Sequence, residues 1–256
     1  MAVGQIALVH AAEKAPHQPI HQWVYRVLRA EIIELHIRPA QQISEKEVAV
    51  LLGISRTPVR EAFIRLAEDG LLTITPQKRT AVTRIDLAQA EEARFVRRAL
   101  EKAVMREVCG RLTETDCADM AAAIETQQES MRARAYDRMV AADNEFHRVI
   151  FRASHKERSW LYIKKMDYNY DRLRIMAIPL VIAQIIEEHR QILGILARGE
   201  SDRVEQVVEC HLASTAINNA IREFPAHYFT RAGQAAGAGA IGDEGETVED
   251  QKIENG

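Results

Sequence analysis

At 256 residues the chain is long enough for two domains, each with its own hydrophobic core. Its three cysteines are odd in number and lack metal-binding spacing, and its apolar runs are shorter than the eighteen or so residues of a membrane helix, which argues against a disulfide-rich or membrane-spanning protein. The N-terminus lacks a signal-peptide pattern, so we expect a cytoplasmic protein with no membrane partner. Residues 1–19 show no periodicity and predict a flexible N-terminal segment.

The next elements predict two helices joined by a tight turn. The run SEKEVAVLLG ends at Gly53, and SRTPVREAFIRLAEDGLL follows it. Ser55 is a suitable N-cap for the second helix, because its hydroxyl can accept from a first-turn N–H group. Pro58 lies in the first turn, where its missing N–H costs little, and Gly70 ends the helix.

The second helix is predicted to bury one apolar stripe and to expose its basic side chains. An arginine near the start of such a helix can donate two parallel hydrogen bonds to guanine in the major groove, and hydroxyls nearby can hold phosphate. LLTITPQKRTAVTRI then predicts two short strands around a basic tip, which is typical of a wing that meets DNA. The side chains that we expect to contact DNA are Ser55, Arg56, Thr57, Arg60, Arg65, Lys78 and Arg79.

Three stretches carry a resemblance to a known family: the leading helix IHQWVYRVLRAEIIEL, the segment ISEKEVAVLLGISRTPVREAFIRLAEDGLL, and the wing. Residues 20–84 resemble the winged-helix domain of the GntR family of bacterial transcription regulators, and SRTPVREA is the most specific part. The resemblance implies a DNA-binding domain, adds Lys46 to the DNA-contacting positions, and puts Arg56 and Arg60 foremost. Thr80 departs from the pattern, because the family's wing usually has a glycine there.

The charge distribution agrees with this division. The whole chain has a net charge of −3, but residues 20–84 contain ten Lys/Arg against seven Asp/Glu and are therefore net positive. Residues 85–230 contain twenty-one against twenty-three, and residues 231–256 contain two against six. Positive charge is thus concentrated in the segment that is expected to meet DNA phosphate.

Residues 85–230 are predicted to be helical throughout, because glycine and proline are scarce and strand-like alternation is absent. The predicted helices are 87–109, 113 or 115 to 134, 136–153, 157–177, 179–198 and 201–223, with Gly199 ending the fifth. We therefore predict a mainly α protein, in which an N-terminal winged helix-turn-helix is followed by an all-helical bundle of six or seven helices. Residues 231–256 are rich in glycine, alanine and acid and predict a flexible acidic tail.

Four residues of the helical part are candidate metal ligands. Asp143 and His147 are four positions apart and project from the same face of one helix. His189 and His211 each lie between apolar residues one turn away, on inward-facing stripes. Taken singly, each histidine is more often a hydrogen-bonded core residue than a ligand. Three of them with a carboxylate, on three helices, favour a divalent transition metal such as Zn²⁺ or Ni²⁺.

The strings VRRALE, DNEFHRVIF and IIEEHRQILGILARGESDRVEQVVECHL resemble the all-helical FCD ligand-binding domain of the FadR subgroup of GntR regulators. Metal-containing members use an aspartate, a histidine four residues later and two histidines on later helices. This sequence matches that set with Asp143, His147, His189 and His211. The resemblance also implies dimerisation through the helical domain.

Arginines can complete a site for an acid, because a buried guanidinium can bind a carboxylate through two hydrogen bonds. Arg97 matches an arginine of the subgroup's pattern, and Arg172 and Arg174 follow on a later helix. We expect all three to bind an effector.

The sequence therefore predicts a transcriptional repressor that binds a short palindromic operator in double-stranded DNA as a homodimer. A small organic acid at the metal site would control its affinity for DNA. Two alternatives remain open. One is a metal-dependent hydrolase or lyase with a nucleic-acid-binding module, which would consume its acid; the other is a regulator whose metal is purely structural.

Overall fold

The computed structural model describes residues 8–9, 15, 17–75, 79–166, 168–213 and 215–230. It confirms the predicted fold class, because a winged helix-turn-helix precedes an all-helical part. The tail at 231–256, most of the segment at 1–19, and Gln77 and Lys78 of the wing tip lie outside the described residues. None of the described helices is both long and apolar enough to cross a lipid bilayer.

The N-terminal part combines three helices with a small sheet. Its elements are α1 (Ile20–Ile33), β1 (Gln42–Ile43), α2 (Glu45–Leu52), α3 (Arg56–Glu68), β2 (Leu72–Thr75) and β3 (Arg79–Val82). Val59, Phe63 and Leu66 of α3 are buried against α1 residues such as Leu28. The apolar stripe of α3 therefore faces the core and leaves its opposite face to solvent.

The turn between α2 and α3 follows local backbone rules. The Ser44 hydroxyl accepts a hydrogen bond from the Glu47 backbone N–H and caps α2. Gly53 ends α2 with a φ of 63°, which glycine adopts without steric cost. Ser55 occupies the N-cap position of α3 with an extended backbone, but its side chain makes no capping hydrogen bond. The prediction that the Ser55 hydroxyl caps α3 is therefore wrong.

The wing is the predicted hairpin with one additional strand. β2 and β3 pair antiparallel, and Thr75 lies opposite Arg79 beside the tip. β1 pairs with the other edge of β3, which gives the strand order β1-β3-β2. Thr80 stands within this central strand, opposite both Ile43 and Ile74. A strand of two residues has no hydrophobic periodicity, so β1 could not be predicted from the sequence.

The C-terminal part contains seven α-helices among the described residues, followed by a 3-10 turn at Ala226–Tyr228. They are α4 (Leu87–Val108), α5 (Glu114–Ala133), α6 (Tyr136–Ala153), α7 (Glu157–Met166), α8 (Tyr168–Arg198), α9 (Ser201–His211) and α10 (Thr215–Glu223). The predicted helix 157–177 corresponds to α7 and the start of α8, and residue 167 between them lies outside the described residues. The predicted helix 201–223 is divided into α9 and α10.

Pro179 lies inside α8, although the sequence predicted that a helix would start there. A proline in a helix interior removes one backbone hydrogen bond and costs about 3 kcal/mol in an isolated helix. Met176, Ile178 and Ile186 are buried on either side of it. Their burial against the core favours a continuous helix over a break at the proline.

The first turns of α8 hold the segment that links the two parts of the chain. Tyr168 packs against the core of the winged helix. Asn169 accepts a hydrogen bond of 3.1 Å from the Asp86 backbone N–H. Arg172 is fully buried and donates to the Thr83 carbonyl at 2.8 Å and to the Asn169 side-chain oxygen at 2.6 Å. α8 therefore contacts both the linker and the DNA-binding part.

Candidate metal centre and DNA interface

The N-terminal end of α3 carries the predicted DNA-contacting side chains. Arg56 and Arg60 expose 60% and 62% of their side chains. Ser55 and Thr57 are exposed at the same end, and Lys46 is exposed in the first turn of α2. The structure thus exposes five of the predicted contacts, four of them at the N-terminal end of α3.

Glu45 of α2 binds both arginines of this surface. Arg56 Nη2 donates to Glu45 Oε2 at 3.0 Å. Arg60 donates through Nε at 3.2 Å and through Nη2 at 3.3 Å, one to each carboxylate oxygen. Burial opposes ionisation of Glu45, but the hydrogen bonds from Arg60 and Arg56 lower its pKa below the ordinary value. Sequence reasoning missed Glu45, because no local spacing links it to residues 11 and 15 positions later.

The other predicted DNA contacts lie elsewhere. Arg65 projects towards α1, where its guanidinium lies 4.2 Å from the centre of the Tyr25 ring. It follows Arg56 by about two and a half helical turns, so the two project from opposite sides of α3. Arg79 is exposed at the start of β3, and Lys78 falls outside the described residues. The DNA contacts of these residues stay predictions.

Three histidines converge in the helical part. His147 of α6, His189 of α8 and His211 of α9 direct their Nε2 atoms towards one another. His211 Nε2 lies 3.2 Å from His147 Nε2 and 3.3 Å from His189 Nε2. His147 and His189 are fully buried, and the Phe146 ring stacks on His189 with 4.1 Å between ring centres.

The other nitrogen of each ring faces a hydrogen-bond acceptor. The acceptors of Nδ1 are Gln127 for His189 at 2.8 Å, Glu188 for His211 at 2.8 Å, and Glu101 for His147 at 3.0 Å. An acceptor at Nδ1 favours a proton there, which leaves a lone pair on Nε2 of a neutral ring. Burial lowers the pKa of His147 and of His189, so both rings are neutral at pH 7. Three lone pairs therefore face one point, and a cation at that point would stabilise them.

The spacing of the Nε2 atoms fits a transition metal. Zinc–nitrogen bonds of about 2.1 Å put two ligand nitrogens about 3.0 Å apart at a right angle and about 3.4 Å apart at the tetrahedral angle. The observed separations of 3.2 Å and 3.3 Å lie between these values. Histidine ligands also usually donate their second N–H to a carboxylate or carbonyl group, as His189 and His211 do here, and His147 Nδ1 lies 3.0 Å from a Glu101 carboxylate oxygen. The donor set therefore suits a divalent transition metal.

Asp143 lies beside the three histidines. Its oxygens are 3.9 Å from His147 Nε2 and 3.8 Å from His189 Nε2, and it accepts a hydrogen bond from Arg174. Among the described residues, the group whose ligand atoms lie within 4.8 Å of one another comprises His147, His189 and His211. Burial opposes ionisation of Asp143, but the Arg174 guanidinium holds the pKa of that carboxyl well below its usual range. Its part as a fourth ligand stays a prediction.

A cavity of about 320 Å³ adjoins this cluster. Arg97, Asp143, Arg174 and His211 line it together with apolar residues of α8. Arg97 is buried and donates through Nε to Glu101 at 2.7 Å, but its Nη1 has no hydrogen-bond partner. A buried guanidinium nitrogen without an acceptor is unfavourable unless a ligand supplies one. The cavity therefore offers a place for an anion beside the histidines.

The prediction that Arg172 binds the effector is wrong, because its side chain lies away from the cavity. Positions 172 and 174 are about 200° apart around a helix, so their side chains project to nearly opposite sides. Arg174 lines the cavity and binds Asp143, whereas Arg172 binds the Thr83 carbonyl of the linker. Burial lowers the pKa of Arg172 to about 10, so the side chain remains charged at neutral pH.

We expect Arg172→Ala to lower the free energy of unfolding by about 2–4 kcal/mol. The change leaves a cavity in place of a large buried side chain and removes the donor to the Thr83 carbonyl. Urea unfolding followed by circular dichroism measures this loss. Arg98→Ala is the matched control, because Arg98 pairs with Glu209 near the surface and should cost at most about 1 kcal/mol. Equal losses in the two variants would contradict a structural role for Arg172.

Comparison with known proteins decides the family. The family described as "Bacterial regulatory proteins, gntR family" matches residues 21–82, and the FCD domain matches residues 92–214. The HTH-type transcriptional repressor RspR of Escherichia coli (strain K12) is 33% identical over 210 residues, which cover 81% of this chain and 91% of RspR. The chain belongs to the GntR family of transcriptional regulators.

One further relative and one solved structure also resemble the chain. The "Probable D-xylose utilization operon transcriptional repressor" of Paenarthrobacter nicotinovorans is 31% identical over 193 residues, which cover 72% of this chain and 81% of that protein. The solved structure of E. coli McbR/YncC shares the fold, with a TM-score of 0.67 at 19% identity. The match covers 80% of this chain and 99% of the McbR/YncC chain.

Membership of the GntR family decides between the open alternatives of regulator and enzyme. The family and the similar proteins are transcriptional regulators, which argues against a hydrolase or lyase. Glu188 directly precedes His189 and is an acid that an enzyme could use for proton transfer. In the structure it accepts from His211 Nδ1 and thereby orients that ring.

Sequence reasoning missed the three acceptors that orient the histidines of this GntR regulator. Glu101 and Glu188 had a usable signal, since Glu101 lies four positions after Arg97 and Glu188 adjoins His189. Gln127 had no such signal. It lies on α5, separated by 62 positions from the histidine that it binds.

Proposed function

We propose that this GntR regulator is a repressor whose operator affinity is controlled by a small organic acid, bound beside a divalent zinc or nickel ion. The observation that carries the proposal is the convergence of the Nε2 atoms of His147, His189 and His211, each of which has an acceptor group within 3.0 Å of its Nδ1. The names of RspR and of the D-xylose operon regulator support repression rather than activation.

The three histidines would hold the ion, and Asp143 would serve as a fourth ligand. When bound, the ion supplies positive charge and open coordination positions for a carboxylate. Arg97 provides a second anchor, because its buried Nη1 needs an acceptor. The cavity of about 320 Å³ is at the small end of ligand pockets, which supports a small acid.

α8 offers a physical connection between this cavity and the DNA-binding part. Arg174 binds Asp143 on the cavity side and also binds Asp171, whereas Arg172 binds the Thr83 carbonyl on the other side. An acid that competes with Asp143 for Arg174 would alter the packing of α8. Since α8 also holds the linker, the change would reach the winged helix and alter operator affinity.

A homodimer would present two copies of α3 to DNA. Two-fold symmetry of the protein matches two half-sites of a short palindrome, which supports a palindromic operator in double-stranded DNA. The net positive charge of residues 20–84 supports contact with phosphate. Sedimentation of the protein with and without a palindromic duplex measures the stoichiometry.

A thermal-shift screen against small carboxylates, with and without a chelator, tests the proposal. We expect at least one acid to raise the melting temperature only when metal is present, and to change DNA affinity without being consumed. Turnover of the acid by purified protein would favour an enzyme. A chelator that lowers the melting temperature, while no acid shifts it, would favour the alternative in which the metal is purely structural.

We expect Arg97→Lys to weaken binding of the acid found in this screen by about tenfold to a hundredfold. Lysine keeps a positive charge beside Glu101 but loses the planar donors that bind a carboxylate through two bonds. Calorimetric titration of the metal-loaded protein measures the change. Arg98→Lys, one position away at the surface, is the control and should bind the acid like the wild type. Unchanged affinity in Arg97→Lys would remove Arg97 from the acid site.

A further inference from the structure

Glu45 joins two side chains of α3 that are otherwise separate. Its carboxylate accepts from Arg56 at 3.0 Å and from Arg60 at 3.2 Å and 3.3 Å, with one Arg60 nitrogen on each oxygen. Glu45 exposes 23% of its side chain, whereas Arg56 and Arg60 expose 60% and 62%. The carboxylate thus lies beneath two guanidinium groups that project towards solvent.

Stability of the fold does not explain this arrangement. Ion pairs of exposed arginines contribute little to stability, because water solvates the charges and salt screens them. The shared ion pairs have a larger effect on the conformations of the two arginine side chains. Arg56 and Arg60 are one helical turn apart, so their charges repel and each long side chain has many rotamers. A shared carboxylate offsets the repulsion and restricts both side chains.

The hydrogen bonds to Glu45 leave other guanidinium donors available. Glu45 occupies Nη2 of Arg56, and Nε and Nη2 of Arg60. Nη1 of each arginine remains, together with the second N–H of each Nη2 and the Nε–H of Arg56. A guanidinium that reads guanine needs two donors in a fixed plane, and restricting that plane in the free protein lowers the entropy lost on binding.

We propose that Glu45 is a positioning residue for DNA recognition, which orients Arg56 and Arg60 towards base edges and reduces their attraction to phosphate. Glu45 then increases the preference for the operator over other DNA and decreases the affinity for DNA of any sequence. The inference rests on the expectation that Arg56 and Arg60 read DNA. Glu45 has two separable effects, one from its negative charge and one from the length of its side chain, which lets the carboxylate bind both arginines.

Two substitutions separate these effects. Glu45→Gln removes the charge and keeps the length of the side chain. Glu45→Asp keeps the charge, but the shorter side chain cannot reach both guanidinium groups in the same geometry. Glu61→Gln is the matched control, because it removes one negative charge from α3, as Glu45→Gln does from α2. Glu61 is exposed, and its carboxylate lies 3.4 Å from His21 Nδ1.

The probes are a duplex selected by the wild-type protein from a randomised library and a shuffled duplex of the same composition. Fluorescence anisotropy over a series of salt concentrations gives both affinities. For Glu45→Gln we expect about threefold tighter binding to the shuffled duplex and a salt dependence steeper by about one unit. We expect the ratio of selected to shuffled affinity to fall about tenfold. For Glu45→Asp we expect the same fall in the ratio with wild-type affinity for the shuffled duplex.

Glu61→Gln should tighten both interactions equally and leave the ratio unchanged. The inference is overturned if Glu45→Asp keeps the wild-type ratio, or if Glu45→Gln behaves like Glu61→Gln. Wild-type binding of the selected duplex by Arg60→Ala would instead remove the expectation that this surface reads DNA. Thermal unfolding of each variant, followed by circular dichroism, shows that the changes in binding occur in folded protein.

Discussion

Replacement of His189 with alanine is expected to reduce the affinity for zinc and nickel at least about a hundredfold. Loss of a residue that only orients a ligand typically costs about tenfold to a hundredfold, and His189 supplies a ligand atom itself. His189 is fully buried, and its Nε2 lies 3.3 Å from that of His211. Metal content after dialysis, measured by mass spectrometry, and competition with a coloured chelator quantify the loss. The chelator should lower the melting temperature of the wild type but not that of the variant.

His227→Ala is the control for this experiment, because His227 is exposed and is not one of the three converging histidines. It should retain the wild-type metal content. Gln127→Leu provides a second test that keeps all three rings. It removes the acceptor of His189 Nδ1 and should weaken metal binding about tenfold to a hundredfold. Wild-type metal affinity in both His189→Ala and Gln127→Leu would show that the histidines do not form the metal site.

Arg60→Ala is expected to weaken binding to the selected duplex by about 1–3 kcal/mol, which is about fivefold to 150-fold. Arg60 is exposed on α3 and is held by Glu45, which leaves the N–H groups of Nη1 and one N–H of Nη2 to meet a base edge. The loss should be largest at one base pair of the site, because a contact with a base edge discriminates between sequences. Anisotropy titrations with single-base variants of the duplex at fixed salt measure this pattern.

Arg65→Ala is the matched control, since it removes an equal charge from the same helix. Arg65 lies on the opposite side of α3, over the Tyr25 ring. Whether Arg65 contacts phosphate or contributes only its charge, its loss should weaken binding to every sequence by a similar factor, smaller than that for Arg60→Ala. A sequence-dependent loss for Arg65→Ala, with a uniform loss for Arg60→Ala, would reverse the assignment of the reading face.

Much of the DNA-binding part was predictable because its signals are local. The stripe of Val59, Phe63 and Leu66 repeats at helical spacing, and Gly53 marks the end of α2, so the helix-turn-helix follows from short windows of sequence. The capping role of Ser55 was wrong, because residue type indicates that a cap is possible but not which way a hydroxyl points. β1 was missed, since its two residues form a strand only by pairing with β3.

The helical part shows the same contrast. His189 and His211 were predicted to face inward from apolar neighbours one turn away, and His147 was singled out by its four-residue spacing from Asp143. The resemblance to FCD domains joined the three as candidate ligands, and the structure brings them together. The break at Pro179 was wrong, because burial on both sides of the proline outweighs one missing hydrogen bond. Arg172 was assigned to the effector site with Arg174, although the two project to opposite sides of one helix.

Residue order is enough to establish what each helix exposes and buries, because a helix repeats every 3.6 residues and local caps depend on neighbours. It was enough to identify the GntR-type reading helix and the three histidines as candidates. Which partners they meet depends on how distant helices pack. Glu45 reaches residues 11 and 15 positions later, and Gln127 meets a histidine 62 positions away. Such pairs arise from the packing of whole helices, which no local spacing encodes, and only the folded chain shows that Arg172 holds the linker while Arg97 faces the cavity.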